Sequence, residues 1–444
     1  YNGVVFNEMK GVFSSPKELL ERKIQQSLFP DTAYGCESGG DPAVIPDLTY
    51  KQYLDFHSRY YHPSNSYLYL YGDMDMAEKL TWIDEHYLSQ FDYLEVDSRI
   101  QKQKGFEEPV DMSGYYSLAE GESPEDKTYF SYNAVTGTSL DRELYIAFQV
   151  LNYVLVQGVG APVKQALLDK GIGSEITSFF EESICQPVFS IIAKNVAEEK
   201  KDQFVSVIRE ELQKMVSKGI NQDSLLAGLN ALEFRYREAD FGSYPKGLMY
   251  GLQIFDSWLY DKDQPFIHIQ ANDTFRRLRE RMNSGYFESL IQTYLLDNTH
   301  RSVVTVEPKV GLTAQMEKQE AQRLQAHLDT LSTAQKEALV RETKALKQYQ
   351  EEPSPKEMLE KIPLLSREDI GKQAQGFSNL KKTVEGCPVI HHDYFTNGIH
   401  YVSMMFDIKP YLAEYAPYIS LLCSVLGSVD TDERDKLSFS NEVL

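Results

Sequence analysis

The sequence at 128–135 is Thr-Tyr-Phe-Ser-Tyr-Asn-Ala-Val, and its aromatic and β-branched residues predict a buried strand. The residues that follow predict helices at 141–157 and 161–170, then strands at 175–181 and 187–195. Helices and strands interleaved in this way indicate an α+β sandwich, in which helices cover a sheet.

A second block of interleaved elements precedes this one. Apolar spacing predicts helices at 4–13, 16–29, 49–60 and 74–89, and a buried strand at 66–71. The second of these helices has a strong start signal, since Ser-Pro-Lys-Glu at its beginning combines an N-cap, a proline at the first helical position and a capping box.

The regions between and after these blocks differ in composition. Residues 96–127 are less hydrophobic and predict an interdomain linker. Further helices are expected between 200 and 296, with a strand at 302–306. Residues 311–352 then predict two long charged helices that meet at the capping box Ser332-Thr-Ala-Gln335. Their charge pattern favours a solvated antiparallel coiled coil.

A third block begins near residue 376. It predicts strands at 388–395 and 401–407, and a helix at 410–426. A helix that starts within a few residues of Tyr1, and a block that does not close by Leu444, lead us to expect a piece of a larger protein. The predicted domains are 1–95, a linker at 96–127, 128–310, a hairpin segment at 311–375, and 376–444.

Composition narrows the class of partner. The 444 residues carry 66 acidic and 45 basic side chains, a formal net charge of −21, which argues against nucleic-acid binding and would favour a basic peptide through electrostatic steering. Four scattered cysteines without a Cys-x-x-Cys pair fit a reducing compartment rather than a disulfide scaffold. The longest apolar stretch, 415–429, is too short to span a bilayer, so no membrane partner is expected.

Candidate metal ligands are few. Glu8, on the first predicted helix, has no partner at metal-ligand spacing, because the sequence contains no His-x-x-x-His, His-x-x-Glu-His or Glu-x-x-His. The run His391-His392-Asp393 is expected to be structural or exposed, since adjacent side chains on a strand point to opposite faces. Asp84-Glu85-His86 is expected to be the polar face of a helix, and His57 and His62 are expected to pack.

Several motifs together resemble one peptidase family. Residues 4–11 (Val-Val-Phe-Asn-Glu-Met-Lys-Gly) and 34–42 (Tyr-Gly-Cys-Glu-Ser-Gly-Gly-Asp-Pro) resemble segments of the presequence proteases and falcilysins, a branch of the pitrilysin/insulinase metallopeptidases. Residues 56–65, 160–167 and 396–401 resemble later segments in the family's order. The resemblance covers essentially the whole chain and implies repeated pitrilysin-type αβ sandwich domains joined by a helical hairpin linker.

The resemblance also implies a zinc endopeptidase that encloses unstructured peptides between two bowl-shaped halves. Its zinc is held by two histidines of a His-x-x-Glu-His helix, whose glutamate is the general base, and by a later glutamate that matches Glu8. The histidine motif is expected upstream of Tyr1, so this chain alone is expected to be inactive and to hold zinc incompletely or not at all.

Two other functions stay open. One is a non-catalytic family member that binds peptides or acts as a scaffold; the other is an interaction protein built around 311–352. The expected location is cytoplasmic for a bacterial protein, or mitochondrial or plastid for a eukaryotic one, and the oligomeric state is not predicted.

Overall fold

The computed structural model describes residues 3–374 and 376–444, which form two compact units. One unit contains the residues up to Val310 together with Ser403–Leu444, and the other contains Gly311–Val402. Position 375, the predicted end of the hairpin segment, lies outside the described residues.

The structure combines helices with two sheets. The helices are α1 Val4–Val12, α2 Pro16–Leu28, α3 Tyr50–Tyr60, α4 Met76–His86, α5 Arg142–Asn152, α6 Pro162–Asp169, α7 Lys201–Lys218, α8 Gln222–Glu238, α9 Lys246–Trp258, α10 Asn272–Arg281, α11 Tyr286–Leu290, α12 Leu312–Thr330, α13 Thr333–Glu351, α14 Lys356–Leu359, α15 Leu412–Val425 and α16 Lys436–Val443. The strands are β1 Val110–Leu118, β2 Thr128–Val135, β3 Glu175–Glu181, β4 Val188–Val196, β5 Arg301–Val310, β6 Leu380–Val384 and β7 Cys387–His391.

The larger sheet organises the first unit. Its five strands lie in the order β1-β5-β2-β4-β3, with β1 parallel to β5 and the remaining neighbours antiparallel. The predicted strands at 128–135 and 175–181 are present with the predicted bounds. The mixed α+β class expected from the sequence is therefore confirmed.

Alternate side chains of each strand point to opposite faces of this sheet, and each face packs against its own core. Phe130, Tyr132 and Phe189 face the larger core, which is formed with α5, α6, α7, α8, α10 and α11. On the opposite face α2 covers a smaller core of Val304, Val306 and neighbouring residues. The result is a sandwich in which α2, a helix of the first predicted block, covers one face of the sheet formed by the second block.

The C-terminal end of α2 is fastened to the start of β5. The Oγ of Ser27 donates to the Oγ of Ser302 at 2.7 Å, and the Nε2 of His300 lies 2.8 Å from the backbone oxygen of Leu28. The His300 ring lies edge-on between Phe29 and Phe106, and its burial lowers the pKa of the imidazole. These contacts fix the register of α2 on the sheet.

The predicted strand at 66–71 is not formed. The segment belongs to no sheet, and the helices on either side of it, α3 and α4, have no buried residues. Its tyrosines lie instead on α9, where the Tyr67 ring is 4.4 Å from that of Trp258. The prediction of a strand at 66–71 was therefore wrong, because no neighbouring strand pairs with this segment.

The predicted linker at 96–127 contains structured elements. Strand β1 within it pairs with β5 at the sheet edge. Gln103 is buried: its backbone N–H donates to Oε1 of Gln186, and its side-chain amide donates to Asp31. The segment is thus bound to the sandwich, while the exact domain boundaries stay a prediction.

The second unit contains the two long charged helices and a small hairpin. The capping box of Ser332 and Gln335 is present at the start of α13, but neither α12 nor α13 has a buried residue, so the predicted coiled-coil packing is not formed. Strands β6 and β7 pair across a Glu385-Gly386 turn, both residues having positive φ. The strand predicted at 401–407 is absent from the described sheets.

One helical stretch, 142–169, is long and apolar enough to pass a test for membrane spanning. Its apolar side chains, among them Phe148 and Leu151, belong to the core of the larger sheet. The core of the sandwich therefore accounts for its composition.

Candidate functional site

Glu8 lies on the exposed side of α1. The helix begins after Gly3, and its Phe6 and Met9 are buried while Glu8 is exposed. Positions 6 and 9 are one turn apart and thus share a face, which leaves the carboxylate of Glu8 directed away from the protein. The sequence therefore places this acid on a helix with one packed and one free side.

Contacts on the packed side hold α1 in place. The sulfur of Met9 lies against Gly39, where an added Cβ would be 2.3 Å from it, so a larger residue at position 39 would displace the end of the Met9 side chain. The guanidinium of Arg22 sits 3.9 Å from the centre of the Phe13 ring and 2.8 Å from an oxygen of Asp41. Burial raises the pKa of Asp41, but the hydrogen bonds from Arg22 and from the backbone N–H of Ala43, together with the positive charges of Arg22 and Lys23, outweigh burial and lower the pKa.

The described residues do not assemble a metal site around Glu8. Across 3–374 and 376–444, no group of three or more His, Cys, Asp or Glu side chains is placed to hold an ion. Zinc in proteins takes at least three protein ligands, and Glu8 supplies one, so the residues described here do not by themselves fit the ion.

The remaining candidate ligands have other contacts. His57 stacks on Tyr61, and His62 accepts a hydrogen bond from the backbone of Ser64. His86 stacks on Trp82. His392 lies 2.8 Å from the backbone oxygen of Ser378 through Nδ1, and His391 ends β7. The structure brings none of these residues together with Glu8 in a metal-binding group.

A cavity of about 610 Å³ lies beside the end of α1. Its lining includes the apolar side chains of Val12 and Phe179 and acidic side chains of α2, the 33–38 loop and β3. The acidic lining residues are Glu18, Glu21, Glu37 and Glu181. Its one lining guanidinium, Arg22, is already paired with Asp41.

One cavity-lining residue, Tyr34, is held by contacts with Tyr260 and with the backbone after β3. The hydroxyls of Tyr34 and Tyr260 are 2.7 Å apart; Tyr34 accepts from the backbone N–H of Cys185, and Tyr260 donates to the carbonyl of Ser183. Sequence reasoning did not identify this cavity, because its residues are separated by up to about 170 positions and meet only in the folded chain. The acidic net charge was the only signal in the sequence.

Two regions of the chain match known peptidase families. Residues 47–232 match a family model described as the peptidase M16 inactive domain, and residues 306–443 match one described as associated with subfamily C of peptidase M16. Protein HypA of Clostridium perfringens is 41% identical over 443 residues, which are 100% of this chain and 45% of that protein. Presequence protease 1, chloroplastic/mitochondrial, of Arabidopsis thaliana is 34% identical over 98% of this chain and 41% of that protein.

The fold agrees with these relatives. The crystal structure of a protease from Helicobacter pylori aligns with a TM-score of 0.53 at 18% identity, over 69% of this chain and 70% of that one. The chain spans less than half the length of the curated relatives named above. From the matched domains, the relatives and the fold, the chain belongs to the M16 peptidase family, in its presequence-protease branch.

Proposed function

We propose that this chain is part of a zinc-dependent endopeptidase that degrades unstructured peptides, and that Glu8 is one of its three zinc ligands. The proposal is carried by one observation: the acid that matches the family's glutamate ligand is presented on the free side of a helix whose other side is fixed. The two histidines and the general base are expected from sequence upstream of Tyr1. Zinc, when bound, would activate a water molecule for attack on the peptide carbonyl.

In this proposal, the residues of this chain position the Glu8 carboxylate and do not transfer a proton. Packing of Met9 against Gly39 and the Phe13–Arg22–Asp41 contacts limit the freedom of α1 and hence of the Glu8 carboxylate. The cavity next to α1 supports a substrate with basic and apolar residues, since its acidic and apolar lining complements such a peptide.

The test uses the complete reading frame and the variant Glu8→Gln. Because the amide is a far weaker zinc ligand, we expect loss of stoichiometric zinc and at least about a 100-fold fall in peptidase activity, more than removal of an outer contact gives. Glu85→Gln, an exposed acid on α4, is the matched control and should keep both. Full zinc content and activity in Glu8→Gln would refute the assignment. Residues 1–444 alone should show neither zinc nor cleavage.

A non-catalytic peptide-binding subunit is the second candidate. It is supported by the match of 47–232 to a domain described as inactive and by the same cavity. In that case the complete protein would bind a basic peptide without zinc and without cleaving it, and Glu8→Gln would leave peptide affinity unchanged.

A further inference from the structure

A groove on the first unit lies where the loop after α5 meets the end of α7 and the start of α8. It encloses about 200 Å³, and its lining includes the loop 158–161, Met215 of α7 and Ile220 before α8. The ring of Tyr153 also lines the groove and packs on Gly228 of α8, where an added Cβ would be 3.1 Å from the ring. The groove shares no lining residue with the cavity beside α1, so it is a separate feature of the fold.

One face of α16 lies over this groove. Leu437 and Asn441 are four residues apart and therefore share a face of the helix. Both methyl carbons of Leu437 contact the loop at Gly160, where they lie 3.5 Å and 3.6 Å from the position of an added Cβ. The Nδ2 of Asn441 donates to the Oγ of Ser224, in the first turn of α8, at 3.1 Å. An apolar contact and a hydrogen bond thus fix this face on the sandwich.

The opposite face of α16 packs on the end of α15. Phe439 is two residues from both Leu437 and Asn441, so its side chain points away from theirs. The Phe439 ring lies 3.3 Å from the position of a Cβ added at Gly427, in the turn after α15. Of the α15 side chains that the structure describes, none is buried. Helix α15 therefore adds no core contact of its own, and α16 connects it to the sandwich.

We propose that the groove is a docking surface for α16, and that α16 acts as an internal strap that holds residues 403–444 on the sandwich. The chain leaves the first unit after Val310 and returns to it at Ser403. Because α15 has no buried side chain among those described, the contacts of Leu437 and Asn441 with the groove attach this returning segment. The strap is independent of the proposed metal site.

The strap can open while both cores stay folded. A helix of eight residues is marginal in water by itself, so α16 is helical while it is docked and unfolds when it leaves the groove. Leu437 and Asn441 are half-buried, and neither belongs to a core cluster. Undocking is therefore a local opening that costs less than global unfolding. Ordering of α16 and attachment of α15 are coupled in this way.

Hydrogen exchange on the 444-residue chain, corrected for intrinsic rates, measures docking through the α16 amides. Leu437→Ala removes three half-buried carbons from the groove contact and should lower the protection of these amides about tenfold. Val443→Ala, on the same helix with a side chain that is 67% exposed, is the matched control and should change protection less than about threefold. Amides of β4, in the sheet, should keep their protection in both variants.

A double-mutant cycle tests the hydrogen bond separately. Asn441→Ala and Ser224→Ala remove the same bond, so each should lower the protection of α16 roughly threefold, and the double variant should lower it no further than either one. Unprotected α16 amides in the unmodified chain would overturn the strap. So would equal effects of Leu437→Ala and Val443→Ala, additive effects in the cycle, or an equal fall in β4.

Discussion

Replacing Ile24 by alanine tests whether α2 belongs to the core of the larger sheet. Ile24 is 0% exposed and lies among Val304, Val306 and other residues of the smaller core. The substitution removes three buried carbons, whose burial contributes about 2.4 kcal/mol to stability at ~0.8 kcal/mol per methylene. The cavity that remains adds to the loss of stability. We expect the free energy of unfolding of the sandwich to fall by about 3 kcal/mol.

Hydrogen exchange of β5 amides reports the change, because β5 lies under α2. A loss of 3 kcal/mol lowers their protection by roughly a hundredfold, at 1.4 kcal/mol per tenfold. Lys17→Ala, on the same helix but with a side chain that is 63% exposed, is the matched control and should change protection less than about threefold. If Ile24→Ala affects α1 and α2 alone, α2 is not part of the sheet's core and the reasoning fails.

Two further predictions concern α9 and the histidine beside it. Gly247→Ala should weaken the packing of segment 66–71 on α9 by about 1–3 kcal/mol, because the added methyl group overlaps the Tyr71 ring, and hydrogen exchange at 66–71 should become faster. The control Gly11→Ala, on α1 with nothing within 4 Å, should be neutral or stabilising by up to about 1 kcal/mol, and equal effects of the two variants would contradict the contact. Burial lowers the pKa of His268 to about 4 in the folded chain. As the pH falls below 6.5, His268 is therefore protonated in the unfolded chain but not in the folded one, which destabilises the folded state. The stability advantage of the unmodified chain over His268→Gln should shrink by roughly 3 kcal/mol between pH 7 and 4 in urea unfolding, and a constant difference would rule this out.

The accuracy of sequence reasoning depended on whether an element's partner was near in the chain. β2 and β3 were predicted with their bounds because their side chains are buried on a sheet formed within the same block. Segments 66–71 and 401–407 have equally good strand patterns, but a strand also requires a neighbouring edge, and the described sheets supply none there. An Asn-Gly pair is typical of hairpin turns, and Asn397-Gly398 has positive φ at both residues, yet the described hairpin forms at Glu385-Gly386.

The candidate site was predictable only in part. Physical reasoning from the sequence left Glu8 as an isolated acid, and the family resemblance alone gave it a role. The cavity lining and the Tyr145–Asp256 hydrogen bond could not be predicted, because β3, α2, α5 and α9 meet only through the tertiary fold. Acidic residues spaced far apart in a chain of net charge −21 carry no local signal of proximity.

The position of Glu8 depends on the sandwich more than on its own helix. Only Phe13, Ser14 and Ser15 separate α1 from α2, and Arg22 of α2 packs on the ring of Phe13. α2 is in turn fixed on β5 through Ser27 and His300. A short helix of nine residues is marginal by itself. If Glu8 is the zinc ligand that we propose, the sheet contributes to the site indirectly, because it fixes the helix on which this acid lies.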